Sequence, residues 1–273
     1  MSPTQEEKYL AFKKLHERPG AFVIPNPWNA GTAKILSSLG FEALATTSAG
    51  MAFATGRKDG LAALNLEETL ANCREIVAAT DLPVSADLED GFGAAPENCV
   101  ETIKGGIGAG LVGGSIEDAT GDPENPIYDF DLAVERIHAA SEACRGQPFL
   151  LTARSENFIR GRLDLDDTIR RLQAFERAGA DVLFAPGLPD LDAIKTVCEA
   201  VSKPVNVVMG LVGATFSVDE LADVGVKRIS TGGSMARAAL GGFMQAATEI
   251  KEQGTFTYGE RALSNKVAND LMS

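Results

Sequence analysis

PVSADLEDGFGAAPENCVETIKGGIGAGLVGGSIED, residues 83–118, decides how this chain is read. PVSAD (83–87) is an apolar stretch of strand length, and GGSIED (113–118) is another. Between them lies a helical pattern. Pro96 sits where a first helical turn can use it, because the N–H that proline lacks would have no partner there. Strand, helix and strand in succession are the βα alternation of a parallel sheet. Both strands also end in acids, Asp87 with Glu89 and Asp90 in one case, Glu117 and Asp118 in the other.

The same alternation continues on either side. AFVIP (21–25), EALAT (42–46), FLLTAR (149–154), DVLFAP (181–186), PVNVVM (204–209) and RISTGG (228–233) complete a set of eight strands. Leu165, Ile169, Leu172 and Phe175 share one helical face, and Ser217 with Glu220 forms a capping box for a helix ending near Ala222. Eight βα units predict an α/β fold, a (β/α)8 TIM-type barrel. An open doubly wound sheet would carry G-x-G-x-x-G after its first strand, which is absent here. No linker-like composition divides the chain, so residues 1–273 are expected to form one barrel domain, with 253–273 as a C-terminal extension. That polar tail reads as one more helix packed on a neighbouring subunit or as a frayed end.

Composition narrows the function. The chain is 45% hydrophobic and 23% charged, with no apolar run long enough to span a bilayer. Residues 1–20 mix charges and lack the apolar centre of a signal peptide, which predicts a cytoplasmic protein. A formal charge of −13 repels nucleic acid and anionic membranes, so neither is an expected partner. The four cysteines, Cys73, Cys99, Cys144 and Cys198, are widely spaced in helix-like stretches and form no metal or redox motif. The histidines are only His16 and His138, both in helical patterns, so a metal would sit among oxygens, as Mg²⁺ or Mn²⁺ does.

In a barrel the active site lies at the C-terminal ends of the strands. Asp87 and Glu89 stand there, then Glu117 and Asp118, then Arg154 followed by Ser155, Glu156 and Asn157. The second strand runs into TTSAGMAFATGRKDG (46–60), which offers Ser48, backbone N–H groups and then Asp59. Carboxylates crowded in this way repel one another unless a cation neutralises them, and Mg²⁺ does so while keeping waters. With Arg154 pairing a substrate carboxylate and the metal polarising a neighbouring carbonyl, the set describes a site for a small 2-oxo acid and chemistry through an enolate. Other readings compete at single positions. Asp90 and Asp118 can be helix caps or solvated acids. Cys99 reads as a buried small hydrophobe. Trp28 in PNPWNAG seals the barrel mouth or walls the substrate. STGGSMARA (230–238) is a phosphate site or a run of small residues needed for barrel closure.

FVIPNPWNAGTAKIL, the Ser-Ala-Gly loop ending in GRKDG, PVSADLEDGFG, GGSIED, LTARSE, AGADVLF and KRISTGGSMARAAL occur in an order that resembles the isocitrate lyase and phosphoenolpyruvate mutase superfamily over most of residues 20–250. The resemblance implies that Asp87 touches Mg²⁺ and that Asp59, Glu89 and Glu117 hold its waters. It implies that Arg154 binds the substrate carboxylate and that Ser48, Ala49 and Gly50 receive the other end of it, with Thr47 the alternative to Ser48. It also implies a homotetramer, a dimer of dimers, that exchanges its last helix between barrels.

The departures from that pattern direct the functional expectation. The usual D-x-D-x-G is here Asp87-Leu88-Glu89-Asp90-Gly91, one methylene longer at the second acid. The lyases of isocitrate and methylisocitrate carry a K-K-C-G-H loop whose cysteine is the general acid. The corresponding stretch here, Ala119 to Tyr128 (ATGDPENPIY), has neither Cys nor His, so those two activities are not expected. The phosphonate-forming mutases have a lysine and an asparagine in that loop, and this chain offers Asn125 alone. The asparagine that the lyases place after strand seven would fall near Val208, two residues beyond Asn206. The expected activity is a Mg²⁺- or Mn²⁺-dependent lyase that cleaves a C–C bond of a small 2-oxo or 2-hydroxy dicarboxylate through a metal-stabilised enolate, as in decarboxylation of oxaloacetate. Arg154, Glu117 and Asn125 are its candidate catalytic residues. Glu124, Asn125 and Tyr128 all stand open for proton transfer in a loop expected to close over the site. The alternatives are P–C bond chemistry on phosphonopyruvate, as mutase or hydrolase, and a non-catalytic 2-oxo acid binder.

Overall fold

A computed structural model of the chain describes residues 2–60, 63–211, 213 and 215–273. In chain order these form α1 (Gln5–Glu17), β1 (Phe22–Ile24), α2 (Ala30–Ser38), β2 (Leu44–Ala45), α3 (Ser48–Ala54), α4 (Leu66–Ala78), β3 (Val84–Asp87), α5 (Pro96–Gly108) and β4 (Gly113–Glu117). There follow α6 (Phe130–Cys144), β5 (Leu150–Arg154), α7 (Leu165–Arg177), β6 (Val182–Phe184), α8 (Leu191–Ala200), β7 (Val205–Val208), α9 (Val218–Asp223), β8 (Arg228–Ser230), α10 (Ser234–Gln253) and α11 (Asn265–Met272). All eight expected strands occur, and each pairs in parallel with its neighbour in the order β1-β8-β7-β6-β5-β4-β3-β2. Helices surround this nearly closed sheet, which is the (β/α)8 barrel.

Local chemistry sets the helix starts. Pro96 opens α5, and the Ser217–Glu220 capping box opens α9, as their sequence positions require. On α7, Leu172 and Phe175 are fully buried while Leu165 and Ile169 pack at the edge of the same cluster. Cys99 lies inside α5, where burial pushes its thiol up to about 11, so it packs as a hydrophobe.

The seam between β1 and β2 is bridged by one backbone bond, from the Ala45 N–H to the Pro25 carbonyl at 3.1 Å, and by one side chain. Asn26, just past β1, donates from Nδ2 to the Thr46 carbonyl at 2.8 Å, and its Oδ1 accepts the N–H groups of Thr231 at 2.8 Å and Gly232 at 2.9 Å. The C-terminal ends of β1, β2 and β8 are thereby tied at the rim. Two N–H groups of the Gly-rich segment after β8, those of Thr231 and Gly232, are taken up by this closure. The small residues there serve packing too, since a Cβ on Gly233 would stand 2.9 Å from that of Ala49. These contacts support the closure reading of STGGSMARA, while Gly232 and Gly233 also line the cavity at the strand ends.

The bottom of the barrel is covered by α1. Phe12 and Leu15 cluster with Phe22, Val112 and Leu150, residues at or next to the N-terminal ends of β1, β4 and β5. Gly113 makes room, because a Cβ there would meet the Phe12 ring at 3.0 Å. Above this plug, Arg228 of β8 crosses the interior, donating from Nε to Asn206 Oδ1 at 2.9 Å and from Nη2 to Thr152 Oγ1 at 2.9 Å. Its Nη1 points at His16 Nε2, 3.5 Å away. His16 Nδ1 lies 2.9 Å from the Phe12 carbonyl, which can only accept, so Nδ1 carries the proton and Nε2 is left as the acceptor for Arg228.

The C-terminal extension is ordered within this chain. It folds as a helix, α11, and rests against α2 of its own chain, with Lys34 Nζ donating to the Met272 carbonyl. By contrast, α10 packs on α3 near its start and buries only Ala236 of its 20 residues. Leu240, Phe243 and Met244 share its exposed face, with Phe243 at 72% exposure. Among the described residues no helix is long and apolar enough to cross a membrane.

Burial, followed by the charge of Arg228, pushes the pKa of His16 down to about 3. Between the unfolded value near 6.5 and that of the folded state, the unfolded chain binds a proton that the native one refuses. This contribution therefore lowers stability as pH falls through that window. Urea unfolding at pH 7 and pH 4.5 should show His16→Gln losing less stability on acidification than the parent. Equal losses would remove His16 from the acid response.

Candidate functional site

A cavity of about 360 Å³ opens at the C-terminal ends of the strands. Its rim takes Ser48 and Ala49 from the start of α3, Asp59 from the following loop, Asp87 and Glu89 after β3, Glu117 from β4, and Arg154, Glu156 and Arg160 from β5 and beyond.

The turn after β3 is strained and fastened from behind. Glu89 at φ +48° and Phe92 at φ +60° both lie in the left-handed region without being glycine, a cost of order 1–3 kcal/mol each that the surroundings must hold in place. Asp90 does much of this. Its Oδ1 accepts the Phe92 N–H at 2.9 Å, its Oδ2 accepts the Tyr128 hydroxyl at 3.0 Å, and Arg136 donates to its carbonyl and to those of Gly93 and Ala94. The Arg136 guanidinium also lies 4.3 Å above the Tyr128 ring. Asp90 thus opens the turn, but as a buried fastener and not as a solvated acid or a helix cap.

Asp118 is corrected in the same way. It is buried, with Oδ1 accepting the Glu156 N–H at 2.8 Å and Oδ2 accepting Arg171 Nη1 at 3.2 Å. Burial pushes its pKa up to about 7 against the opposing pull of those donors. The carboxyl that looked free to cap a helix instead positions the backbone of Glu156. Tyr128, one of the three proton-transfer candidates, does not line the cavity. Burial and then the Asp90 charge raise its pKa to about 12, and its hydroxyl is committed to Asp90.

At the centre, Arg154 is shared by three carboxylates. Nη1 lies 3.2 Å from both Asp87 Oδ1 and Glu117 Oε2, while Nε and Nη2 donate to Glu156 Oε1 at 3.1 and 2.8 Å. The guanidinium rests 4.8 Å from the Phe184 ring centroid. Burial alone would weaken its charge, but Glu156, Glu117 and Asp87 outweigh that and push its pKa further up. Asp87 Oδ2 accepts both the Ser48 hydroxyl at 2.7 Å and the Ser48 N–H at 3.2 Å. Glu117, buried at the cavity wall, has its pKa raised by burial and then by Glu156, and Arg160 approaches it at 3.4 Å. Asp59 is raised by burial and by the charge of Asp87.

Of the residues singled out from sequence, Ser48, Ala49, Asp59, Asp87, Glu89, Glu117 and Arg154 come together around the cavity. Gly50 does not line it. A Cβ there would stand 2.7 Å from Thr47 and 2.8 Å from Trp28, so this glycine lets α3 pack down on Trp28. Asn125 does not line it either. It sits exposed in a loop closed on itself by the Ala119–Ile127 bridge, with Nδ2 donating to Asp122 at 3.2 Å. Glu156, Arg160, Asn26 and Arg228 line the cavity without having been assigned to it. Glu156 alone had an available signal, two residues beyond Arg154 at a strand end.

The lining residues carry five carboxylates and three guanidiniums, an excess of two negative charges. Among the described residues no three acidic, histidine or cysteine side chains come close enough to enclose a metal ion. The donors that line the cavity are carboxylate and hydroxyl oxygens, the ligand type that hard divalent cations take.

Comparison with known proteins agrees with this architecture. Residues 12–251 match the family model described as phosphoenolpyruvate phosphomutase. The 2-methylisocitrate lyase of Escherichia coli K12 is 30% identical over 220 residues, covering 77% of this chain and 73% of its own. Among solved structures, a Burkholderia cenocepacia J2315 protein described no more closely than lyase/mutase is 56% identical, with TM-score 0.96 over 98% of this chain and 96% of its own. A second protein from the same source, described as a phosphonomutase, is 35% identical with TM-score 0.81 over 92% of this chain and all of its own.

Tyr128→Phe leaves the buried Asp90 carboxylate without its hydroxyl donor. It should lower unfolding free energy by about 1–3 kcal/mol in urea titration. An unchanged midpoint would show that the turn does not depend on this bond.

Proposed function

Since this chain belongs to the isocitrate lyase and phosphoenolpyruvate mutase superfamily, we propose that it is a Mg²⁺- or Mn²⁺-dependent lyase cleaving a C–C bond of a small 2-oxo or 2-hydroxy dicarboxylate, with oxaloacetate decarboxylation as the leading case. The observation that carries this reading is the acid rim gathered around Arg154, together with a facing loop that contains no cysteine or histidine. Decarboxylation needs no protein acid at the leaving group, because carbon dioxide departs without taking a proton.

Asp87 would hold the divalent ion directly, with Asp59, Glu89 and Glu117 around its waters. When bound, that ion would supply the positive charge that favours electron flow toward the substrate's carbonyl oxygen. The chain's own groups do the remainder. Glu156 keeps the Arg154 guanidinium in one orientation, and Arg154 receives the carboxylate next to that carbonyl as Asp87 and Glu117 turn to the cation. Ser48 and Ala49 bound the other end of this carboxylate from the start of α3. Burial, and after it the charges of Glu156 and Asp87, raise the proton affinity of Glu117, and a cation would offset the part that comes from those charges.

A second reading has support of its own. The matching family model and one of the similar structures are described as a phosphomutase and a phosphonomutase, so P–C bond chemistry on phosphonopyruvate is the competing activity. Purified protein with Mg²⁺ or Mn²⁺ should consume oxaloacetate in a coupled or infrared assay. Asp87→Ala should lower kcat/KM more than about 100-fold, beyond the usual cost of changing an outer-shell partner. No turnover of oxaloacetate or related oxo acids, with loss of phosphonopyruvate in phosphorus NMR, would move the assignment to P–C chemistry. Binding without any turnover would identify a non-catalytic 2-oxo acid binder.

Assembly belongs to the same reading. The unburied apolar face of α10, on a chain taken as one barrel with residues 253–273 as its extension, supports packing against a second copy in a tetramer built as a dimer of dimers. Light scattering after gel filtration should give a tetramer for the parent and smaller species for the Phe243→Glu, Met244→Glu double variant. A monomeric parent would remove this part of the proposal.

A further inference from the structure

The cavity does not end at the acid rim. It continues down the barrel interior to Arg228, past Ser85, Ser115 and Ser230, whose small side chains leave that space open. Three arginines line the cavity among the described residues. Arg154 and Arg160 are both paired with rim carboxylates, at 2.8 Å to Glu156 and 3.4 Å to Glu117 respectively. Arg228 is the exception. Its hydrogen-bond partners, Asn206 Oδ1, Thr152 Oγ1 and His16 Nε2, are all uncharged.

This is an unusual place to leave a charge. Arg228 is only 5% exposed, and taking an ion out of water costs several kcal/mol unless a counter-charge offsets it. Burial pulls its pKa down to about 9, and among the described residues no acid is placed to oppose it. The neutral tautomer of His16 and the amide of Asn206 hold the guanidinium across the barrel without neutralising it. Its anchor Thr152 and the rim cation Arg154 sit two residues apart on the same face of β5, about 7 Å along the strand. The two guanidiniums therefore act at different depths of one cavity.

We propose that Arg228 is the group on which a second anionic group of the ligand rests, so that the cavity selects small dicarboxylates over monocarboxylates. The inference rests on the assignment of this cavity as the substrate site, and it adds a specificity-determining residue at the floor. A carboxylate lowered onto Arg228 supplies the missing counter-charge, and the charge-assisted bond forms where water does not screen it.

Titration calorimetry with succinate and butyrate, four-carbon chains that differ by one carboxylate, reads this directly. The parent should bind succinate at least about 10-fold more tightly than butyrate. Arg228→Met should reduce that preference to less than about 2-fold with butyrate affinity unchanged, and Arg228→Lys should retain part of it. Arg228→Gln, which keeps hydrogen bonding without charge, should behave as Arg228→Met does and stands in for it if circular dichroism shows the methionine variant unfolded. A parent without preference, a neutral variant that keeps the preference, or one that loses both ligands equally would overturn the proposal. Turnover is a separate readout: a parent that binds succinate through Arg228 yet leaves oxo acids intact loses the lyase assignment and retains the floor cation.

Discussion

One guanidinium shared by three carboxylates organises this end of the molecule. Arg154 draws Asp87 at the end of β3, Glu117 at the end of β4 and Glu156 just beyond β5 to a single point. Without that positive charge, the acids would repel one another across the gaps between strands. With it they remain close, yet their negative charge is still in excess, which leaves the rim receptive to a further cation. The constraint is electrostatic, and a closed parallel barrel satisfies it by delivering successive strand ends to one rim.

Holding the rim requires a layer of contacts behind it. Asp118 fixes the backbone of Glu156 and is itself held by Arg171, while Asp90, Tyr128 and Arg136 brace the left-handed turn that carries Glu89. Acids of the same type thus do opposite work within a few residues. Asp87 and Glu117 face the cavity, whereas Asp90 and Asp118 face away from it into buried donors. The loop from Ala119 to Tyr128 belongs to both sides, since its end is locked to Asp90 while its tip shares a shallow surface pocket with Arg160.

The parts legible in the sequence were those governed by period and position. Eight apolar stretches alternating with helical patterns gave the strand order, and the acids and arginine at their ends marked the rim. Pairings between distant residues were not legible in this way. Tyr128 looked like a proton-transfer candidate because a tyrosine in a mobile-looking loop has no visible partner, and its partner lies 38 residues earlier on another turn. Gly50 looked like part of a substrate loop, but its lack of a side chain is explained by Trp28 packing beneath it. Asn125 was placed by analogy of loop position, and the loop turns its amide toward Asp122.

By itself the sequence determined the βα alternation, the barrel and the crowding of charge at strand ends, because these follow from side-chain periodicity and from the order of residues along one strand. Tertiary structure alone decided which acid meets Arg154, how Asn26 helps close the seam, and that Arg228 lies across the interior held by uncharged partners. Those outcomes depend on strand stagger and on the reach of side chains across a closed barrel. Neither quantity is carried by any single segment of the chain.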